Sequence, residues 1–125
     1  MTAYFAPIRD MQFVINELAD LSKVAALPTF AEQEVGPELL EAVLEEAAKL
    51  ATEVLAPLNK SGDVQGAQIG PAGVIPAAGF TEAYRSFIDG GWNGIGSPVE
   101  HGGQGLPELF NTATQEMWNS ANMSF

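Results

Sequence analysis

Apolar positions along this chain recur mostly at helical spacing. From Ile8 to Ala26, Met11, Val14, Ile15, Leu18 and Leu21 return every three or four residues while Asn16, Glu17 and Asp20 take the other side, which predicts a first helix limited by Pro28. Asp10 offers an alternative, slightly later start, because its carboxylate can accept from the free amides of a first turn. The strongest pattern covers 38–59, where Leu40, Val43, Leu44, Ala47, Leu50, Ala51, Val54, Leu55 and Leu58 form one broad apolar stripe. Pro37 suits the first turn of that helix, whereas Pro57 lacks an amide donor and is expected to end or kink it. Glu45 and Lys49 stand in the right order for an i,i+4 ion pair worth only about 0.3 kcal/mol, so packing has to stabilise the helix.

The periodicity fails from Ser61 to Gly79, where Gly62, Gly66, Gly70, Pro71, Gly73, Pro76 and Gly79 punctuate the chain. Gln68-Ile69 and Val74-Ile75 flank Gly70-Pro71-Ala72-Gly73, which fits either a small hairpin or a flexible connection. A short helix follows at about 80–89, with Phe80, Tyr84, Phe87 and Ile88 on one face and Gly90-Gly91 able to adopt the left-handed conformation that ends it. After a glycine-rich loop beginning at Trp92, Pro107 opens a last helix carrying Leu109, Phe110, Ala113, Met117 and Ala121. No stop signal is apparent before Phe125, so this helix is expected to run off the end of the chain, as it would if the native protein continued.

The prediction is a mainly α chain of about four helices with one Gly/Pro-rich connection. At 125 residues and 46% hydrophobic, it has the size of a single compact domain. No apolar run approaches the roughly 18 residues of a membrane span, and the first residues lack the basic start and apolar core of a signal peptide, so a soluble, cytoplasmic protein is expected. Five basic residues against sixteen acidic ones give a formal charge of −11, which disfavours binding to nucleic-acid phosphates or anionic lipid. Seven glutamates lie between positions 32 and 53 with Lys49 as their single basic partner, the composition of a solvated helix face.

Candidate chemistry is sparse. Without cysteine there are no disulfides, thiol nucleophiles or thiolate metal sites, and His101 is the only histidine. Placed in Glu100-His101-Gly102-Gly103, it reads as a loop residue rather than a catalytic base. The glutamates have helical spacing without a calcium-binding loop, so no metal ligands are assigned. Gly102-Gly103-Gln104-Gly105 precedes a helix, but it follows no predicted strand and lacks the lysine of a phosphate-binding loop, so it reads as a turn. Trp92 and Trp118 fall on apolar faces and read as core.

Three ordered blocks go further than composition. Tyr4-Phe5-Ala6-Pro7-Ile8-Arg9-Asp10-Met11-Gln12-Phe13 resembles the Y-x-AP-x-RDM-x-F leader of the acyl-CoA dehydrogenases, in particular of their longer bacterial branch. Ala56-Pro57-Leu58-Asn59 with Gly62-Asp63 is similar to the family's A-P-x-N junction. Gly91-Trp92-Asn93-Gly94 and Pro98-Val99-Glu100-His101-Gly102-Gly103-Gln104-Gly105 resemble its GW and P-x-E-x-GG-x-G elements, and Glu116 to Met123 looks like the helix that follows.

The resemblance implies an amino-terminal extension at 1–33, then a truncated amino-terminal helical domain at 34–125. It implies a parent enzyme that is FAD-dependent, oxidises an acyl-CoA to the trans-2-enoyl-CoA, passes electrons to an electron-transfer carrier and forms a homo-oligomer. The family's catalytic carboxylate and main flavin contacts come from outside the matched region, so no catalytic or cofactor-binding residue is assigned here and the chain alone is not expected to be catalytic. Met123, Ser124 and Phe125 resemble a segment beside the acyl chain and are the residues assigned to the substrate pocket. The alternative is an independent acidic helical module that binds a protein partner.

Overall fold

The computed structural model describes residues 3–125. Its four helical stretches follow the predicted order, but the first two are divided by changes in hydrogen-bond register. α1 (Ile8–Phe13) continues into a widened π-type turn, Val14–Leu18, in which the Ala19 amide donates to the Val14 carbonyl five residues back at 2.8 Å. At Asp20 the chain turns left-handed, with φ of 56°, and α2 (Leu21–Ala25) restarts in a new direction.

The expected unbroken helix to Ala26 is therefore corrected, and Asp20 supplies the reason. Its short carboxylate tolerates the left-handed conformation and accepts from Ser22 Oγ at 2.6 Å and from the Lys23 amide at 3.4 Å, capping the restarted turn. Asp10 lies inside the first turn of α1 rather than capping it. The wider turn also shifts the phase of the apolar stripe. Met11, Ile15 and Leu21 are buried, whereas Val14 and Leu18, expected on the same face, are 47% and 69% exposed.

α3 (Pro37–Lys49) starts at Pro37 as predicted. Of the two outcomes expected at Pro57, an end or a kink, the helical path does not end there but changes register. The helical path passes through a π-type segment, Leu50–Leu55, and a 3₁₀ turn, Ala56–Leu58, into α4 (Asn59–Gln65). Before Pro57 the Ala56 amide reaches the Ala51 carbonyl five residues back, and after it the Asn59 amide reaches only three back, to Ala56. A residue without an amide, whose ring crowds the carbonyl four back, is thus accommodated by loosening one turn and tightening the next. Ser61 to Gln65, assigned to the irregular connection by sequence, are helical as a result. Lys49 pairs with Glu46 rather than Glu45; both side chains are largely exposed, so the exchange matters little to stability.

The glycine-rich connection does form the hairpin. β1 (Gln68–Gly70) and β2 (Gly73–Ile75) pair antiparallel, with Ile69 opposite Val74. α5 (Phe80–Asp89) then runs to Gly90, and Gly91, at φ of 73°, turns the chain as its sequence predicts.

α6 (Glu108–Ala121) differs from expectation at its far end. It stops at Ala121, and Asn122 leaves the helix with extended backbone angles, φ −155° and ψ 96°.

A single core joins these elements. Leu40, Leu44, Ala47, Ala51 and Leu55 line one side of the α3 path, facing Phe110, Ala113, Met117 and Ala121 of α6, with Met11 and Ile15 closing one flank. Each fully buried large side chain among them contributes about 1.5–3 kcal/mol relative to exposure. No helix among the described residues is long and apolar enough to cross a membrane.

Candidate functional site

The densest polar arrangement lies where α6 ends against the Pro57 bend. Because Asn59 donates to Ala56, the Leu55 carbonyl lacks the amide that an α-helix would supply to it. Asn122 Nδ2 donates to that carbonyl at 2.9 Å, across 67 positions of sequence and in a buried setting. Asn122 itself is 3% exposed, so leaving either partner unsatisfied would carry a desolvation penalty.

The other end of the same carboxamide organises the last three residues. Asn122 Oδ1 accepts from the Ser124 amide at 2.9 Å, the Phe125 amide at 3.0 Å and Ser124 Oγ at 2.7 Å. Ser124 Oγ also lies 3.2 Å from the Asn59 carbonyl, tying this turn to the start of α4. Asparagine suits the position because one short side chain supplies a donor and an acceptor at once.

Ser124 is half-buried and Phe125 keeps 37% of its surface exposed, while Met123, between them, is 79% exposed. The Phe125 ring meets Phe80 at 5.8 Å, Phe87 at 5.9 Å and Tyr84 at 6.4 Å between centroids. Phe87 in turn meets Trp118 edge-on at 5.8 Å, and Trp118 meets Trp92 at 5.4 Å. These separations and tilts match favourable aromatic pairing, so α5 and the end of α6 are joined by a chain of rings. Gly62 makes the close approach feasible. A Cβ at that position would overlap both the Phe80 ring and Ser124 Oγ, which explains why the junction following Pro57 carries glycine inside a helix.

The structure thus brings Ser124 and Phe125 together with the Pro57 to Gly62 junction, two regions that the sequence presents as separate blocks. The organising residue, Asn122, was not singled out by sequence. An asparagine just after a helical stripe is a recognised stop signal, but its reach to Leu55 depends on tertiary packing.

The Gly91 to Leu106 block is a self-bonded loop. Gly103, Gln104, Gly105 and Leu106 donate their amides to the carbonyls of Pro98, Gly94, Ser97 and Ile95 at 2.9–3.0 Å, and Gln104 Nε2 donates to the Gly91 carbonyl at 3.0 Å. These amides are committed within the loop, so they form no free phosphate cradle. A Cβ at Gly103 would overlap the Ser97 carbonyl, fixing glycine there. His101 is exposed in a short 3₁₀ turn of this loop.

Elsewhere, α1 and α6 enclose an apolar groove of ≈ 360 Å³ that includes Met11, Ile15, Leu109 and Ala113, with Asp10 and Glu116 also lining it. Burial, reinforced by the Glu116 charge, pushes the Tyr4 phenol above its ordinary range. Among the described residues, no group of three or more histidines and carboxylates is placed to hold a metal ion.

No protein-family profile matches the chain. Over 122 residues, 98% of its length, it is 41% identical to a 3-methylmercaptopropionyl-CoA dehydrogenase of Ruegeria pomeroyi. The chain spans 20% of the length of that relative. The matched region takes in all three sequence blocks, including the Pro57 to Gly62 junction and the loop at Gly103 that the structure explains. The likeness to the acyl-CoA dehydrogenase family, first visible in those ordered motifs, is borne out along almost the whole chain.

Proposed function

We propose that this chain is a helical scaffold segment of a flavin-dependent acyl-CoA dehydrogenase and contributes Met123, Ser124 and Phe125 to the wall of its acyl pocket. The single observation carrying the reading is 41% identity over 98% of the chain to a dehydrogenase of an acyl-CoA. The packing is compatible with the scaffold role, because buried apolar side chains dominate while the hydrogen bonds of the last turn fix backbone direction.

The overall reaction removes a proton and a hydride from adjacent carbons of the acyl thioester, yielding a trans-2-enoyl-CoA and reduced FAD, with the electrons passed on to a carrier. Within that reaction, this chain's residues position and exclude water. Met123 presents an exposed apolar side chain beside the half-buried Ser124 turn, a suitable contact for an acyl chain. The committed amides of the Gly102 to Gly105 turn do not fit the flavin pyrophosphate, so flavin contacts are assigned to parts of the enzyme outside this chain.

Purification of the full-length protein tests the reading. A yellow preparation should bleach anaerobically with butanoyl-CoA or 3-methylmercaptopropionyl-CoA and release the corresponding enoyl-CoA. A colourless protein that forms no enoyl product with added FAD and an artificial electron acceptor would sink it. Capture of a protein partner by that colourless protein would favour the interaction-module alternative.

A further inference from the structure

We infer that Asn122 is a positioning residue for acyl-chain selection, fixing how Ser124 and Phe125 leave α6; the inference rests on the acyl-pocket reading above. The argument is one of geometry. The last helical bond runs from the Asn122 amide to the Trp118 carbonyl, and beyond it most of the polar contacts that direct the chain converge on one carboxamide, with Ser124 Oγ to the Asn59 carbonyl beside them. Oδ1 receives the amides of Ser124 and Phe125, while Nδ2 is held by the Leu55 carbonyl at the Pro57 bend. The bend therefore anchors the side chain, and the side chain anchors the turn.

Both flanks of Met123 are fixed by this arrangement, since Asn122 is buried on one side and Ser124 is bonded on the other. Phe125 is held by its amide and by the rings of Phe80, Tyr84 and Phe87. An acyl-contacting side chain on such a turn is restricted to a narrow range of positions, and small displacements of pocket groups alter discrimination between substrates. Asn122 itself faces Leu55 and its own turn, so its action on substrate is indirect.

The test compares kcat and KM for butanoyl-CoA and octanoyl-CoA in the full-length enzyme and its Asn122→Ala, Met123→Ala and Phe125→Ala variants. Asn122→Ala is expected to change the ratio of kcat/KM between the two substrates by about tenfold, the scale of discrimination carried by one methylene-sized contact, through KM more than kcat. Phe125→Ala should shift the ratio in the same direction. Asn122→Asp keeps the acceptor for the two amides and should restore part of the parental ratio.

A lowered melting temperature with an unchanged ratio in Asn122→Ala would show a structural role alone and overturn the inference. If Met123→Ala and Phe125→Ala shift the ratio while Asn122→Ala does not, positioning fails and the pocket reading stands. If neither Met123→Ala nor Phe125→Ala shifts it, the pocket reading fails and the inference fails with it. Should Asn122→Ala not fold, Asn122→Asp decides by the same ratio: it keeps the acceptor for the two amides but loses the Nδ2 donor to Leu55, so a shift smaller than that of Phe125→Ala is expected and an unchanged ratio overturns the inference.

Discussion

Two helical stretches of this protein end on a short polar side chain, with contrasting consequences. Asp20 separates α1 from α2 at the surface, and its partners, Ser22 and Lys23, lie two and three residues away. Asn122 terminates α6 in the interior, and one of its partners lies 67 residues away. Water can replace the partners of Asp20 when they are lost, whereas it cannot readily reach the buried bond between Asn122 and Leu55. The same capping chemistry is therefore local and weak at one end of the chain, but global and strong at the other.

Replacing each cap tests this contrast. Asn122→Ala should destabilise the protein by about 2 kcal/mol, because it removes the buried bond to the Leu55 carbonyl and the acceptor of two half-buried amides; urea unfolding monitored by Trp118 and Trp92 fluorescence measures it. A midpoint equal to that of the parent protein would remove the distinction between the two caps. Gly62→Ala probes the packing beneath the same turn. The overlap with Phe80 and Ser124 costs about 1–3 kcal/mol, against a gain of about 1 kcal/mol in helix propensity, so a net loss of about 1 kcal/mol is expected by the same measurement.

Asp20 should give the smallest response, and it is best read as a titration. Its carboxyl is lowered to about 2, first by the side-chain bond from Lys23 and then by that from Ser22. A depressed carboxyl contributes stability that is present above its unfolded value near 3.9 and is lost as pH falls through the folded value of about 2. Carboxyl NMR should place the Asp20 midpoint near 2, and Lys23→Ala should move it up towards the ordinary aspartate value while leaving the unfolding midpoint at neutral pH nearly unchanged.

The contrast also explains which parts of the fold were legible in the sequence. Leu40, Leu44, Ala47, Ala51 and Leu55 were readable because burial on one face leaves a period, and that period survives the π-type turn well enough to be seen. Gly90-Gly91 was readable because its backbone requirement is local, whereas Gly70-Pro71-Ala72-Gly73 left a hairpin and a flexible connection equally open until the pairing of Ile69 with Val74 was seen. The split at Asp20 was not, since Val14 and Leu18 continue an apolar stripe whose phase has already shifted. At Pro57 the sequence left an end and a kink both open, because proline's missing donor sets only a local preference, while packing of Leu55 and Gly62 decides whether the helix resumes. Likewise the candidate pocket residues followed from motif order, but the expected run-off of α6 was wrong because its stop signal works through a tertiary partner.

Pro57 gives the bond between Leu55 and Asn122 a place in the order of folding. Isolated helix formation can build the turns on either side of the proline, but the bond that Asn122 gives the Leu55 carbonyl has to wait for the far end of the chain. Closing so long a loop is entropically unfavourable until the core has gathered the two ends. The last turn of α6 is accordingly a late-forming lock, whose loss accelerates unfolding more than it delays folding.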